Sequence, residues 1–187
     1  AEMVVANHLT SSLMTAEYAQ ALSDRANALG IVAPVHIKVD TGMSRYGLMP
    51  EETVDFLQFA HSLSGITLEG LFTHFSTADW ADTGPMLEQL SRFQQVRDAA
   101  QQAGFRFPLI HAANSAAAMI LPKTHFDAIR PGIGIYGLDP SNEWPPVFEI
   151  HPALSLKSTI SRVRLLPEGW GVSYSRTYIT SKPTLAA

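Results

Sequence analysis

Two hydrophobic periods take turns along the chain. In "PVHIKVD" (34–40), Val35, Ile37 and Val39 alternate with His36, Lys38 and Asp40. Period two predicts a β-strand with one aliphatic face and one carrying imidazole, ammonium and carboxylate. In "TAEYAQALSDRANAL" (15–29), Tyr18, Leu22, Ala26 and Leu29 form one stripe at helical spacing, which predicts an amphipathic helix. Gly30 follows where a helix C-terminus favours positive φ. "MVVANHL" (3–9) reads as a strand ahead of that helix. Beyond it, Pro50, Glu51 and Glu52 suit the first turn of a helix that runs to about Ser64 and ends at Gly65.

The alternation continues with a strand over 66–76 and a strong helix over 86–103, where Leu90, Phe93, Arg97 and Ala100 share a side. A strand over 107–113, a short helix over 114–120 and a fifth strand over 126–137 follow, the last running into a glycine loop. Strand–helix units repeating roughly every 35 residues predict a parallel sheet. An open doubly wound sheet fits, and so does part of a (β/α)8 barrel. A whole barrel needs about 250 residues, more than the 187 present. After Asp139 the pattern changes. Residues 139–152 are Pro-rich and read as a linker. Residues 153–166 and 171–180 alternate and predict the first strands of a second, β-rich domain.

Composition narrows the function classes. A net charge of −4 gives no electrostatic case for nucleic acid, and no apolar run approaches the roughly 18 residues of a membrane helix. There are no cysteines, which removes disulfide and thiolate chemistry and fits a reducing cytoplasm. The chain does not begin with Met, and a piece of a longer protein is the expectation.

Ligands of parallel α/β sheets bind at the C-terminal ends of the strands. Arg45, "THFS" (73–76), "HAANS" (111–115) and "RPGIGIYG" (130–137) all fall there. "GIGIYG" matches G-x-G-x-x-G, but Pro140 spoils the helix that a dinucleotide fingerprint requires. The glycines still allow backbone N–H groups to approach an anion, so a phosphate grip is expected, with Ser115 supplying a hydroxyl. The seven histidines show no metal-ligand spacing, so no metal is expected, and no G-x-S-x-G elbow is present.

Taken in order, "HIKVDTGMSRYG", "THFSTAD", "HAANSAA", "RPGIGIYG" and "VSYSRTY" resemble the alanine racemases. The resemblance implies a pyridoxal-phosphate enzyme with a (β/α)8 barrel followed by a C-terminal β domain. Residues 1–138 would be the C-terminal part of the barrel, and 153–187 the start of the β domain. It further implies a cytoplasmic homodimer with shared active sites, acting on an amino acid and supplying D-alanine for peptidoglycan. A racemase for serine or another amino acid, or a catalytically silent cofactor-binding barrel, are the alternatives.

Residue by residue, Arg130 resembles the arginine that bonds the pyridine nitrogen, while Gly132, Ile133 and Ser115 resemble the phosphate donors. His74 resembles the histidine linking Arg130 toward the catalytic tyrosine. Tyr174 resembles that tyrosine, which enters the partner's site. Arg45 resembles the arginine near the substrate carboxylate, Lys38 a lysine that is often carbamylated, and His111 and Asn114 the residues that orient these groups. Ser44 and Ser175 stand where many members have glycine, and their small size suggests no change in chemistry. Lys38, Lys123, Lys157 and Lys182 are the only lysines, and none sits in the motif that bonds the cofactor in this family. The expectation is an internal fragment, inactive alone. Carbamylation would turn Lys38 into an anion able to hold Arg45, which explains two cations gathered at one strand end.

Overall fold

The computed structural model describes all residues, Ala1–Ala187, and divides them into two compact units, Ala1–Ala153 and Leu154–Ala187. In the first unit, β1 (Ser11–Leu13), β2 (Ala33–Lys38), β3 (Ile66–Phe72) and β4 (Leu109–His111) form one parallel sheet in the order β1-β2-β3-β4. Helices α2 (Ala16–Ala28), α3 (Thr53–His61) and α4 (Gly84–Gln102) make the crossovers, and α5 (Ser115–Ile120) follows β4. A doubly wound sheet reverses its strand order at a switch point. This one steps in a single direction, as an arc of a (β/α)8 barrel does.

Val35, Ile37 and Val39 are fully buried against Leu22, Leu57, Leu71 and Phe93. Each such side chain contributes about 1.5–3 kcal/mol, so the aliphatic face of β2 sets its register. The opposite face carries His36, Lys38 and Asp40 into the strand-end site. Gly65 has a role besides ending a helix. A Cβ there would lie 2.2 Å from the Ser23 carbonyl oxygen, and its N–H donates to Ser23 Oγ at 3.1 Å. The missing side chain lets α2 rest directly on the start of β3.

Several expected elements differ. Residues 3–9 are not a strand: α1 spans Glu2–Ala6, with Val5 buried, Met3 exposed and Glu2 bonded to Arg25 at 2.8 Å. A short apolar run carries no decisive period, and packing against α2 settles it. The edge strand is instead β1, too short and polar to stand out. Residues 126–137 form no ladder. Ala128 bridges His111, and Pro131 is followed by a 3-10 turn over Ile133–Tyr136. Proline has no N–H for a ladder. The expected linker 139–152 packs on the first unit: Ala81 N–H donates to Glu143 at 2.8 Å, Ser141 Oγ donates to the Asp79 carbonyl, and Trp144 joins the core.

The second unit holds two antiparallel pairs, β5 (Arg164–Leu166) with β8 (Thr184–Ala186), and β6 (Gly171–Val172) with β7 (Tyr178–Ile179). Residues 154–163 have no regular structure despite their alternation, because no strand in the chain pairs with them.

Candidate active site

At the C-terminal ends of β2, β3 and β4 the side chains converge on Arg130. Its Nη2 donates to the carbonyls of Thr73 (2.7 Å) and Ala112 (3.1 Å), its Nη1 donates to His111 Nδ1, and Nη2 lies 3.4 Å from His74 Nδ1. The guanidinium sits over the Phe72 ring, 5.4 Å from its centre, and Phe72 stacks in turn on His111 at 4.7 Å. Burial lowers the pKa of Arg130, but from a value so high that a guanidinium stays protonated in proteins.

An arginine can only donate, so the Nδ1 atoms of His74 and His111 act as acceptors. Both rings are held below the usual histidine range. His111 falls to about 4, through burial first and then the nearby Arg130 and His36. His74 is lowered by burial, then by Arg130, Arg45 and Lys38. Neutral His74 therefore keeps its proton on Nε2, free to donate.

Lys38 is buried at the end of β2, with Nζ 5.5 Å from the centre of the Tyr46 ring and 5.9 Å from that of Phe72. Burial lowers its pKa, and Arg45 lowers it further. No hydrogen bond or ion pair joins Lys38 to Arg45, which is exposed on the loop that follows. Asp40 shapes that loop: Oδ1 accepts from the N–H groups of Gly42 (2.9 Å), Met43 (2.9 Å) and Ser44 (3.0 Å). Burial works to raise its carboxyl, and these donors overcome that and hold it below the usual carboxylate range.

Asn114 caps α5, accepting from Ala117 N–H at 3.0 Å and donating to the Phe75 carbonyl at 3.3 Å. It thereby ties the β4 and β3 loops together. Ser115 Oγ accepts from Gly134 N–H at 3.1 Å. Gly134 is thus the glycine that anchors the loop to Ser115, whereas the N–H groups of Gly132 and Ile133 have no partner in the chain. Tyr174 lies in the second unit, 93 % exposed, in a turn where Ser173, Ser175 and Arg176 all have positive φ. The first unit gathers Lys38, His74, His111, Asn114, Ser115, Arg130 and the glycine loop, with Arg45 exposed just beyond.

Sequence reasoning missed Phe72, the ring on which the site is built, and Gln89, which braces it from α4. Gln89 carried no signal beyond its place in a helix. It is buried, and its amide bonds Ser76, Thr41 and the His74 carbonyl.

Residues 1–140 match the family model described as "Alanine racemase, N-terminal domain". The chain belongs to the alanine racemase family. It is 44 % identical, over its whole length, to an alanine racemase of Desulfovibrio desulfuricans, of which it covers 50 %. The alanine racemase of Clostridium perfringens strain SM101 is 42 % identical, with 100 % of this chain and 49 % of that protein covered. Among solved structures, alanine racemase of Clostridium difficile 630 superposes with a TM-score of 0.90 at 35 % identity, covering 98 % of this chain and 49 % of that one. A histidine racemase from Leuconostoc mesenteroides superposes at 0.85 with 26 % identity, over 99 % and 50 %. The chain spans about half the length of these relatives. No helix in it is long and apolar enough to cross a membrane.

Proposed function

We propose that the protein carrying this chain is a pyridoxal-phosphate-dependent racemase that interconverts L- and D-alanine. The reading includes a cytoplasmic homodimer with shared sites, supplying D-alanine for peptidoglycan. The observation that carries it is Arg130, whose two Nη atoms are tied to His111 and to two carbonyls while its Nε–H bonds nothing in the chain.

The donors present suit the cofactor. Arg130 Nε–H would meet the ring nitrogen, and the unpaired N–H groups of Gly132 and Ile133, beside the Ser115 hydroxyl, would meet the phosphate. When bound, pyridoxal phosphate withdraws electrons and acidifies the α-hydrogen of an attached amino acid. Arg130 would donate to that nitrogen without giving up its own proton, which would leave the nitrogen uncharged and restrain side reactions such as transamination. His74 Nε2–H is left free to donate, and a phenol oxygen is the acceptor this reading gives it. That oxygen would be Tyr174 of a partner, with Arg130 and His74 favouring its phenolate. Racemisation needs bases on both faces; Tyr174 serves one, and a lysine outside this chain's motifs serves the other. Arg45 meets the substrate carboxylate. His111 and Asn114 orient these groups. Burial and Arg45 lower the pKa of Lys38, which favours the free amine that would add carbon dioxide at Nζ with loss of a proton, and the resulting carbamate would pair with Arg45. A bare amine in high-resolution density would remove that step. In this reading, residues 1–138 belong to the barrel and 153–187 open the β domain, and the chain alone is inactive.

The test is racemase turnover by the full-length protein with alanine, serine and histidine, the last because of the histidine racemase among the structural relatives. Alanine is expected to show the highest kcat/KM. Turnover of none of the three, or a clear preference for another, overturns the proposal.

A further inference from the structure

Behind Arg130, on the polar side of the sheet, His111 opens a file of side chains whose other two members, His36 and Glu69, none of the roles above uses. His111 Nε2 is 2.9 Å from His36 Nδ1, and His36 Nε2 is 3.2 Å from Glu69 Oε2. With the Arg130–His111 bond this makes a continuous chain from His111 of β4, over the intervening strand β3, to His36 of β2 and back to Glu69 of β3.

Its polarity is determined at both ends. Arg130 only donates, so His111 Nδ1 accepts and its proton sits on Nε2. That proton bonds His36 Nδ1, which leaves the His36 proton on Nε2. Glu69, ionised, only accepts. The donor end and the acceptor end agree, and a file of this kind polarises each member in the same sense.

The backbone is built for the contact. The β2–β3 register runs Val35↔Leu68 and then His36↔Gly70, so Glu69 is an extra residue inserted opposite that step. A bulge re-aims the side chain at that position, here bringing the carboxylate to His36. The next residue, Gly70, leaves room for the ring: a Cβ there would stand 2.7 Å from three His36 ring atoms. Thr10 Oγ1 also reaches Glu69 Oε2, at 3.4 Å.

We propose that Glu69 and His36 are positioning residues that lock the His111 tautomer and so hold Arg130 by Nη1 with its Nε–H turned to the site. As part of catalysis this rests on the reading of Arg130 given under Proposed function; as a hydrogen-bonded assembly it does not. The carboxylate makes His111 Nδ1 a stronger acceptor for the guanidinium. Without it, His36 is free to hold its proton on Nδ1, facing the His111 N–H, and the file breaks.

The experiment is nitrogen NMR on the full-length protein with labelled histidine and arginine. At neutral pH, both His36 and His111 should be neutral with the proton on Nε2, and the Arg130 Nη1 protons should exchange slowly with water. Glu69→Leu should mix the His36 tautomers and speed Arg130 exchange about ten-fold, the worth of one hydrogen bond to a charged group. Glu69→Gln keeps an acceptor oxygen and should restore the tautomers and most of the protection. His36→Phe keeps a ring beside Gly70 but breaks the file, and should speed the same exchange. A His36 proton on Nδ1 in the unchanged protein, or Arg130 exchange indifferent to both Glu69→Leu and His36→Phe, overturns the proposal. If these signals appear as expected in a protein that turns over none of the amino acids, the relay stands and the racemase reading falls. If alanine is racemised and the signals are absent, the relay alone falls.

Discussion

Replacing Gln89 by Met tests whether one buried amide sets the geometry between two strand-end loops. Its Oε1 accepts from Ser76 N–H (2.9 Å) and Ser76 Oγ (3.0 Å), while Nε2 donates to Thr41 Oγ1 (3.3 Å) and to the His74 carbonyl (3.2 Å). The donor file continues inward. Thr41 Oγ lies 2.7 Å from Thr73 Oγ, and Thr73 donates to the Val39 carbonyl at 2.9 Å. Gln89 thus joins the loop that carries Arg45 to the one that carries His74. Met fills nearly the same volume, so the cavity cost of truncation is avoided. Four bonds at about 1 kcal/mol each set the scale. Ser76 is exposed and regains water, which leaves about 2–3 kcal/mol for the Thr41 and His74 contacts. Urea unfolding of the chain should show that loss as a lower midpoint at constant slope. Gln89→Glu should cost at least as much, because its second oxygen faces the His74 carbonyl with no proton to donate. A Met variant within about 0.5 kcal/mol of the parent, the scale of an ordinary surface substitution, would refute the bracing role.

Two further outcomes follow from local chemistry. His111 titrates near 4 when folded and at the ordinary value of 6.5 when unfolded, so its contribution to stability is complete above 6.5 and lost as pH falls toward 4. That loss is at most about 3 kcal/mol. Unfolding midpoints of the parent and of His111→Gln across this window should differ in slope, with His74 leaving a smaller residual dependence of the same sign in the variant. Ser44→Gly should stabilise the chain by about 0.5–1 kcal/mol, since Ser44 holds φ at 53° and the left-handed region costs a non-glycine residue roughly 1–2 kcal/mol, partly offset by the freedom glycine gains when unfolded. Thermal unfolding of the two forms checks the sign.

That last position shows where reading by side-chain type stopped short. Ser44 and Ser175 both occupy positive φ, so the glycine expected at these two places from the resemblance bears on backbone conformation rather than size. Much else was legible. The aliphatic alternation of β2 and the stripes of α2 and α4 record burial directly, because a period of two or 3.6 has only one face to hide. The residues that resemble the family's site, Lys38, His74, His111, Asn114, Ser115 and Arg130, do meet at one end of the sheet. Parallel strands bring their C-termini together whatever lies between them in sequence.

The sequence by itself determined the parallel α/β class, the polar strand ends and, through five motifs in order, the family. Tertiary structure alone decided what no local period encodes. The single-direction strand order separates a barrel arc from a doubly wound sheet, and it emerges only when the crossovers are placed. Residues 3–9 became a helix and 126–137 lost their ladder, because short apolar runs take whatever partner packing offers. Glu69 met His36 through one bulge in the β2–β3 register, and Gln89 reached Thr41 and the His74 carbonyl from a helix turn with no distinguishing neighbours. Hydrogen bonds between residues dozens of positions apart leave no periodic trace in a chain, and the strand register and helix packing bring their partners within reach.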